Sequence, residues 1–236
     1  MNSDEMRGRK MERESGRISA AVVELAGRYL KLREITPARY ASMKYPKLLP
    51  LMRFFVHQYE AEHFGNIMTM DTRAMGGMMK LSTIVLTPNG GKRLPFLLID
   101  TMEMKKKSLA YVEYYDCTKD GAALPGADAQ QEEFGGILDY AEKPAWYVER
   151  RTPYSLIKGG EGVVMEELDD MVMTCVKRYF EAMGNAEADE KNLVGLKAFQ
   201  QDMCTLGNPS TDTMTKVLGA DGAREFFENV IMPVRA

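Results

Sequence analysis

The middle of the chain alternates apolar runs with short polar reversals, and this pattern limits the fold more than any other feature of the sequence. Residues 64–70, 78–87, 93–104 and 108–117 have the length and composition of β-strands. The reversals between them contain two glycines, then an Asn-Gly pair within residues 88–91, then three lysines. Asn-Gly readily adopts the positive φ angles of a tight hairpin. The sequence therefore predicts a meander whose consecutive strands pair antiparallel.

Helical spacing of apolar residues marks both ends of the chain. Residues 8–33 predict an amphipathic helix, and residues 163–183 predict a long helix with one apolar face. Further helical stripes follow at residues 194–206, 211–218 and 222–230. Helices that flank a central sheet on both sides form three layers. We therefore expect an α/β fold, a three-layer α/β/α sandwich with a central antiparallel sheet.

Residues 47–59 allow two interpretations. Their apolar content suits a buried helix, but Pro46 and Pro50 near the start also suit an extended entry segment. The sequence contains no linker rich in Pro, Ser or Gly that would separate two self-sufficient halves. We therefore expect one domain over residues 1–236.

Composition excludes several classes of function. The formal net charge is −3 and no long Lys/Arg cluster occurs, which argues against a nucleic-acid partner. No apolar stretch approaches the roughly 20 residues that span a bilayer, so we expect a cytoplasmic protein without a membrane partner. The three cysteines and two histidines lack the spacing of a metal site. No G-x-G-x-x-G or phosphate loop follows a predicted strand, which excludes a dinucleotide or triphosphate fold.

One acid interrupts the apolar run at residues 94–102. If this run is a strand, Asp100 shares a face with Phe96, Leu98 and Met102. Apolar surroundings raise a carboxyl pKa, and an acid that is partly protonated near neutral pH suits proton donation. Asp100 is thus a candidate catalytic residue. The alternative is a buried structural carboxylate held by hydrogen bonds.

The order of several residues around Asp100 resembles the ferredoxin-dependent bilin reductases. In that family a strand ends at a proline, and a short turn and a Leu-Pro pair precede an Asp. Here Pro88, Leu94-Pro95 and Asp100 occur in the same order, and the next strand again ends in an acid, Asp116. The segments 199–202, 211–214, 217–219 and 225–231 resemble the closing helices of the family. Red chlorophyll catabolite reductase, of the same structural superfamily, is an equal candidate for the ancestry.

The resemblance covers roughly residues 60–234 and implies a linear tetrapyrrole bound between the sheet and the C-terminal helices. No bound flavin or nicotinamide is implied. The resemblance also implies that electrons come singly from reduced ferredoxin and that side chains supply protons, with Asp100 at the position of the family's central proton donor. Thr83 stands where the phycocyanobilin-forming enzymes have a His, and Asp71 stands where they have a Glu. The resemblance thus implies Asp100 as the catalytic acid with Asp71 assisting, while Thr83 lies against the ligand.

Basic and aromatic residues supply further candidates for binding. Arg150, Arg151 and Lys158 can pair with tetrapyrrole propionates, since guanidinium forks match carboxylates; a solvated loop is the alternative. The lysines at 105–107, with Lys80 and Arg93, can steer an acidic ferredoxin, or simply form a soluble hairpin tip. The aromatic side chains that can stack on a conjugated ligand, or instead close the core beneath a loop, are Trp146, Tyr147 and Tyr154.

Three functional hypotheses follow. The first is a ferredoxin-dependent oxidoreductase that reduces a linear tetrapyrrole, either a bilin or a chlorophyll catabolite. The second is a non-catalytic tetrapyrrole-binding or carrier protein, since the proton-donating set is incomplete relative to the family. The third is an unrelated antiparallel α/β protein that acts on another substrate.

Overall fold

A computed structural model describes residues 16–88, 92–117, 124, 126–184, 186–187 and 190–235. Its centre is one sheet of eight strands, all paired antiparallel. The strands are β1 (Leu32–Glu34), β2 (Ser42–Tyr45), β3 (Met52–Ala61), β4 (Gly65–Ala74), β5 (Met79–Pro88), β6 (Phe96–Met104), β7 (Lys107–Tyr115) and β8 (Leu156–Glu161). From β3 to β8 the spatial order equals the chain order, while β1 and β2 both pair with the outer edge of β3. The predicted meander is confirmed, although the Asn-Gly reversal at 89–91 lies outside the described residues.

Most of the ambiguous segment 47–59 is extended. From residue 52 onward it forms β3, which pairs with β4 along its full length. Phe54 and Val56 enter one core and Tyr59 and Ala61 enter the other. A strand covered on both faces reads as a continuous apolar run, which periodicity cannot distinguish from a buried helix. The helical interpretation of this segment was therefore wrong.

Helices cover both faces of the sheet. On the first face lie α1 (Arg17–Tyr29) and, packed beside it, α3 (Met165–Met183). On the second face lie α4 (Glu190–Thr205), α5 (Pro209–Leu218) and α6 (Ala220–Phe226), with a π-helical turn at Phe227–Ile231. A short helix α2 (Asp128–Glu133) and two 3₁₀ turns, Met75–Gly77 and Val148–Arg150, complete the elements. The protein is thus an α/β/α sandwich, as predicted.

Two hydrophobic cores result, one on each face. The first contains Val22, Ile84, Val112, Val172 and Phe180; the second contains Phe54, Val85, Phe96, Phe199 and Phe226. Helix α1 begins at Arg17 within the described residues, so the predicted start near residue 8 lies outside them. None of the described helices is long and apolar enough to cross a lipid bilayer. The assignment of residues 1–236 to one domain stays a prediction.

One glycine brings α4 close to the sheet. A Cβ atom built at Gly195 would lie 1.8 Å from the carbonyl oxygen of Cys117, just beyond the end of β7. No side chain fits at that separation, so α4 rests on the strand end through its backbone. This contact sets the height of α4 above the second face.

Candidate functional site

A cavity of about 340 Å³ lies between the second face of the sheet and the C-terminal helices. Its size falls in the range typical of small-molecule sites. Six methionines belong to its wall, together with other apolar side chains. The apolar lining residues are Met52, Phe54, Met70, Met79, Leu81, Phe96, Leu98, Met102, Met203, Pro209, Met214, Phe227 and Ile231.

Asp100 reaches this cavity from the middle of β6. Alternation along the strand places it on the second face with Phe96, Leu98 and Met102, as the sequence predicts. Burial raises the pKa of Asp100 to about 6, and the hydroxyl of Thr83 opposes this rise by donating a hydrogen bond to Oδ1. Thr83 is the cross-strand partner of Asp100 on β5. The cavity therefore contains a carboxyl group that is partly protonated near neutral pH.

A second acid, Glu113 of β7, lines the same cavity. It is only 4 % exposed, and the hydroxyl of Tyr115 donates a hydrogen bond of 2.9 Å to its Oε1. Burial raises the pKa of Glu113 to about 7, although Arg151 favours the charged form. The negative charge of Asp100 contributes to the rise. Two acids with raised pKa values thus face one cavity.

Arg151 lies beside Glu113 at the cavity wall. Its guanidinium forms ion pairs with both Glu113 and Glu142, and Nη2 lies 3.2 Å from Oε1 of Glu142. The ring of Tyr147 packs 5.7 Å from the guanidinium carbon. Two protein carboxylates therefore already pair with the Arg151 guanidinium, which the sequence analysis proposed as a partner for a tetrapyrrole propionate. Arg151 orders the acidic wall in this structure.

Asp71 does not meet Asp100. It projects from β4 toward the first face, where Ser19 of α1 and Ser82 of β5 donate hydrogen bonds of 2.9 and 2.5 Å to Oδ1. The cross-strand partner of Asp71 is Ser82, whereas that of Asp100 is Thr83. Neighbouring residues of a strand point to opposite faces, so a displacement of one residue moves a side chain out of the cavity. The geometry corrects the expectation that Asp71 assists Asp100.

Two of the basic candidates also lie away from the cavity. Arg150 pairs with Asp202 of α4 at 2.9 Å. Lys158 of β8 is buried on the first face, where Nζ lies 2.6 Å from Asp139 and donates to the carbonyl of Ile137 at 3.3 Å. The structure therefore brings Asp100, Thr83 and Arg151 together and separates Asp71, Arg150 and Lys158 from them.

Of the three aromatic candidates, one lies at the cavity and two lie in the hydrophobic cores. Tyr147 lines the cavity. Trp146 donates from Nε1 to the carbonyl of Gly207 at 2.8 Å and belongs to the packing of the second core. Tyr154 packs on Tyr114 in the first core, with ring centroids 5.1 Å apart. Only Tyr147 of the three can contact a ligand in the cavity.

Sequence reasoning missed Glu113, although the signal for it was present. Residues 108–117 form an apolar strand pattern, and Glu113 interrupts it as Asp100 interrupts the run on β6. Tyr111 and Tyr115 share its face. By contrast, nothing in the sequence identifies Glu142, which reaches the site from an irregular segment. Among the described residues no group of three or more His, Cys, Asp or Glu side chains could hold a metal ion.

The arrangement suits proton transfer to an apolar ligand. The cavity wall is flexible and apolar because of its thioethers, and the polar groups concentrate at Asp100, Glu113 and Arg151. Acids whose pKa values lie near the working pH are effective proton donors. The site therefore combines an adaptable binding surface with a source of protons.

Comparisons with known proteins identify the fold of the chain but no family. No family model matches the chain, and no curated protein matches it. Among solved structures the chain is similar to phytochromobilin synthase from tomato, crystallised as the selenomethionine protein in complex with biliverdin. The TM-score is 0.71 at 11% sequence identity, and the match covers 88% of this chain and 79% of that chain. The chain therefore shares the overall fold of phytochromobilin synthase.

Proposed function

We propose that the protein binds a linear tetrapyrrole in the cavity and reduces it, with Asp100 as proton donor and reduced ferredoxin as electron donor. The observation that carries this proposal is the position of Asp100, a carboxyl group with a pKa raised to about 6 on the wall of an apolar cavity. The fold shared with a biliverdin-bound protein supports the ligand class.

The chemistry requires two electrons and two protons for each double bond that is reduced. Two reduced ferredoxin molecules supply the electrons, and each is oxidised by one electron. Asp100 supplies one proton and recovers it from solvent. Glu113 is the second donor candidate, because its pKa is raised to about 7 and it faces the same cavity. The protein contributes proton transfer and exclusion of water, while the conjugated ligand carries the electrons.

A carrier is the second candidate function. The structure separates Asp71 from Asp100, and Thr83 cannot donate a proton at neutral pH as a His can. The proton-donating set implied by the family resemblance is thus incomplete. A protein that keeps the cavity but does not reduce its ligand fits this observation.

An anaerobic visible-absorption titration with biliverdin, followed by reduced ferredoxin, tests both functions. A bound-state spectrum that then bleaches or shifts supports the reductase. A bound-state spectrum that stays unchanged after ferredoxin addition supports the carrier, and no spectral change on titration contradicts both.

The variant Asp100→Asn tests whether Asp100 is the proton donor. We expect it to bind biliverdin with an affinity within about threefold of the parent, because asparagine keeps the shape of the side chain, and to lose at least about a hundredfold in turnover. The matched control is Asp212→Asn at an exposed position of α5, which should leave both quantities unchanged. Full turnover in Asp100→Asn would refute the proposed role.

A further inference from the structure

The charged side chains on the cavity wall are three acids and one base. The acids are Asp100, Glu113 and Glu142, and the base is Arg151. Among the described residues, no lysine and no other arginine lines the cavity. Glu142 pairs with the guanidinium through both of its carboxylate oxygens, and Glu113 forms a further ion pair with Nη2. The one cation of the wall is therefore already shared between two carboxylates of the protein.

The wall carries no surplus positive charge, whichever way its buried acids are protonated. Burial raises the pKa of Asp100 to about 6 and that of Glu113 to about 7, so both are partly protonated near neutral pH. When both are neutral, the charge of Glu142 still balances that of Arg151. When either acid ionises, the wall becomes net negative. A ligand carboxylate that enters the cavity would therefore leave water without gaining a cation of its own, which is unfavourable.

Two hydrogen-bond donors on the same wall have no partner. Within the described residues, Oγ1 of Thr72 and Nε of Arg151 are buried and form no hydrogen bond. A buried donor without a partner costs stability, so an acceptor supplied by a ligand is favourable at both atoms. A neutral carbonyl oxygen can accept such a hydrogen bond without adding a negative charge beside Glu113 and Glu142.

We propose that the cavity selects a linear tetrapyrrole whose carboxyl groups are esterified over one whose propionates are free. The inference rests on the proposed function and names the class of substrate. The alkyl part of an ester would lie against the methionine-rich wall, and its carbonyl oxygen would add no charge. A free propionate would instead have to displace Glu142 from Arg151. The proposal thus differs from the expectation, based on the sequence, that Arg151 pairs with a propionate.

Parallel absorption titrations of the full chain with biliverdin and with biliverdin dimethyl ester test the proposal. The two compounds share the conjugated system and differ in the charge of their two side-chain carboxyl groups. We expect the ester to bind at least about tenfold tighter, since like charges brought together in a buried site discriminate strongly between ligands. Propionates that project into solvent would give the two compounds equal affinity, and this result would overturn the proposal.

The variant Glu142→Gln separates the effect of charge from the greater apolar character of the ester. It removes one negative charge from the wall and weakens the hold on Arg151. The affinity for biliverdin should therefore rise about fivefold or more, while that for the ester should stay within about twofold of the parent. The matched control is Glu149→Gln, which removes the same charge from an exposed position of the 3₁₀ turn Val148–Arg150 and should change neither affinity.

The possible outcomes distinguish this inference from the proposed function. Circular dichroism verifies that both variants are folded. A preference for the ester that is equal in Glu142→Gln and the parent, or biliverdin binding as tightly as the ester to the parent, overturns the inference and leaves the proposed function intact. Absence of binding by either compound would contradict the proposed function and the inference with it.

Discussion

The hydrogen bond between Thr83 and Asp100 opposes the effect of burial on the acid. Thr83 donates to Oδ1 and thereby stabilises the ionised carboxylate. Thr83→Val keeps the side-chain shape and removes the donor, so we expect the pKa of Asp100 to rise above its present value of about 6. NMR titration of the labelled aspartate measures this change. Thr83→Ser, which retains the hydroxyl, is the control, and an unchanged pKa in the valine variant would contradict the assignment.

Arg151 forms ion pairs with two carboxylates at the cavity wall. Arg151→Met leaves Glu113 and Glu142 without their cation, and breaking a buried ion pair of this kind costs about 3 kcal/mol or more. Urea unfolding measures the loss. Arg150→Met removes a more exposed ion pair with Asp202 and should cost less than about 1 kcal/mol. The double variant Arg151→Met/Glu113→Gln should recover part of the loss, and equal losses for Arg150 and Arg151 would contradict this account.

At the scale of residues, the sequence correctly predicts the face of the sheet on which a side chain lies where strand alternation is unambiguous. The position of Asp100 follows from its apolar neighbours at positions two apart. Asp71 was misplaced because the resemblance concerned the order of residues along the chain and did not fix the face of β4 on which each side chain lies. The ion pairs of Arg151 were not predictable, since Glu142 reaches it from an irregular segment that carries no periodicity.

Among the elements, α4 depends on its backbone contact with the end of β7. Gly195→Ala would place a Cβ within 1.8 Å of the Cys117 carbonyl oxygen, so the helix must move away from the sheet. We expect a loss of about 2 kcal/mol or more in unfolding free energy and weaker binding of biliverdin, because α4 contributes Met203 to the cavity. Chemical denaturation and the absorption titration measure the two effects. Gly184→Ala, where the nearest atom is 3.9 Å away, is the control.

How well the sequence predicts each helix or strand depends on how that element is buried. The strands β4 to β7 and helix α3 have clear periodicity, and the sequence locates them within a few residues. The short strands β1, β2 and β8 give too few residues for a pattern. Strand β3 was ambiguous because helices cover both of its faces.

For the whole molecule, the buried acids make stability depend on pH. Both Asp100 and Glu113 have folded-state pKa values above those of an unfolded chain, at about 6 and about 7. Their contribution to stability is therefore complete below about pH 4 and is lost as the pH rises through 6 to 7. A rise in the pKa of Glu113 from 4.5 to about 7 corresponds to about 3 kcal/mol.

We expect the unfolding free energy of the parent protein to fall between pH 5 and pH 8. Glu113→Gln should lessen this fall by up to about 3 kcal/mol, because glutamine does not ionise. Urea unfolding at both pH values measures the difference. The control is Glu132→Gln in α2, an exposed position that should leave the pH dependence unchanged. An identical pH dependence in Glu113→Gln and the parent would contradict the raised pKa.

The methionine lining of the cavity makes the site sensitive to oxidants. Six thioethers form much of the wall, and peroxide converts a thioether into a sulfoxide, which is polar, chiral and larger. Three of the six, Met70, Met203 and Met214, also belong to the second hydrophobic core, so such damage would change the ligand site and loosen the packing of that core together. Methionine sulfoxide reductases reverse the reaction, so the binding capacity of this protein would follow the oxidative state of its surroundings.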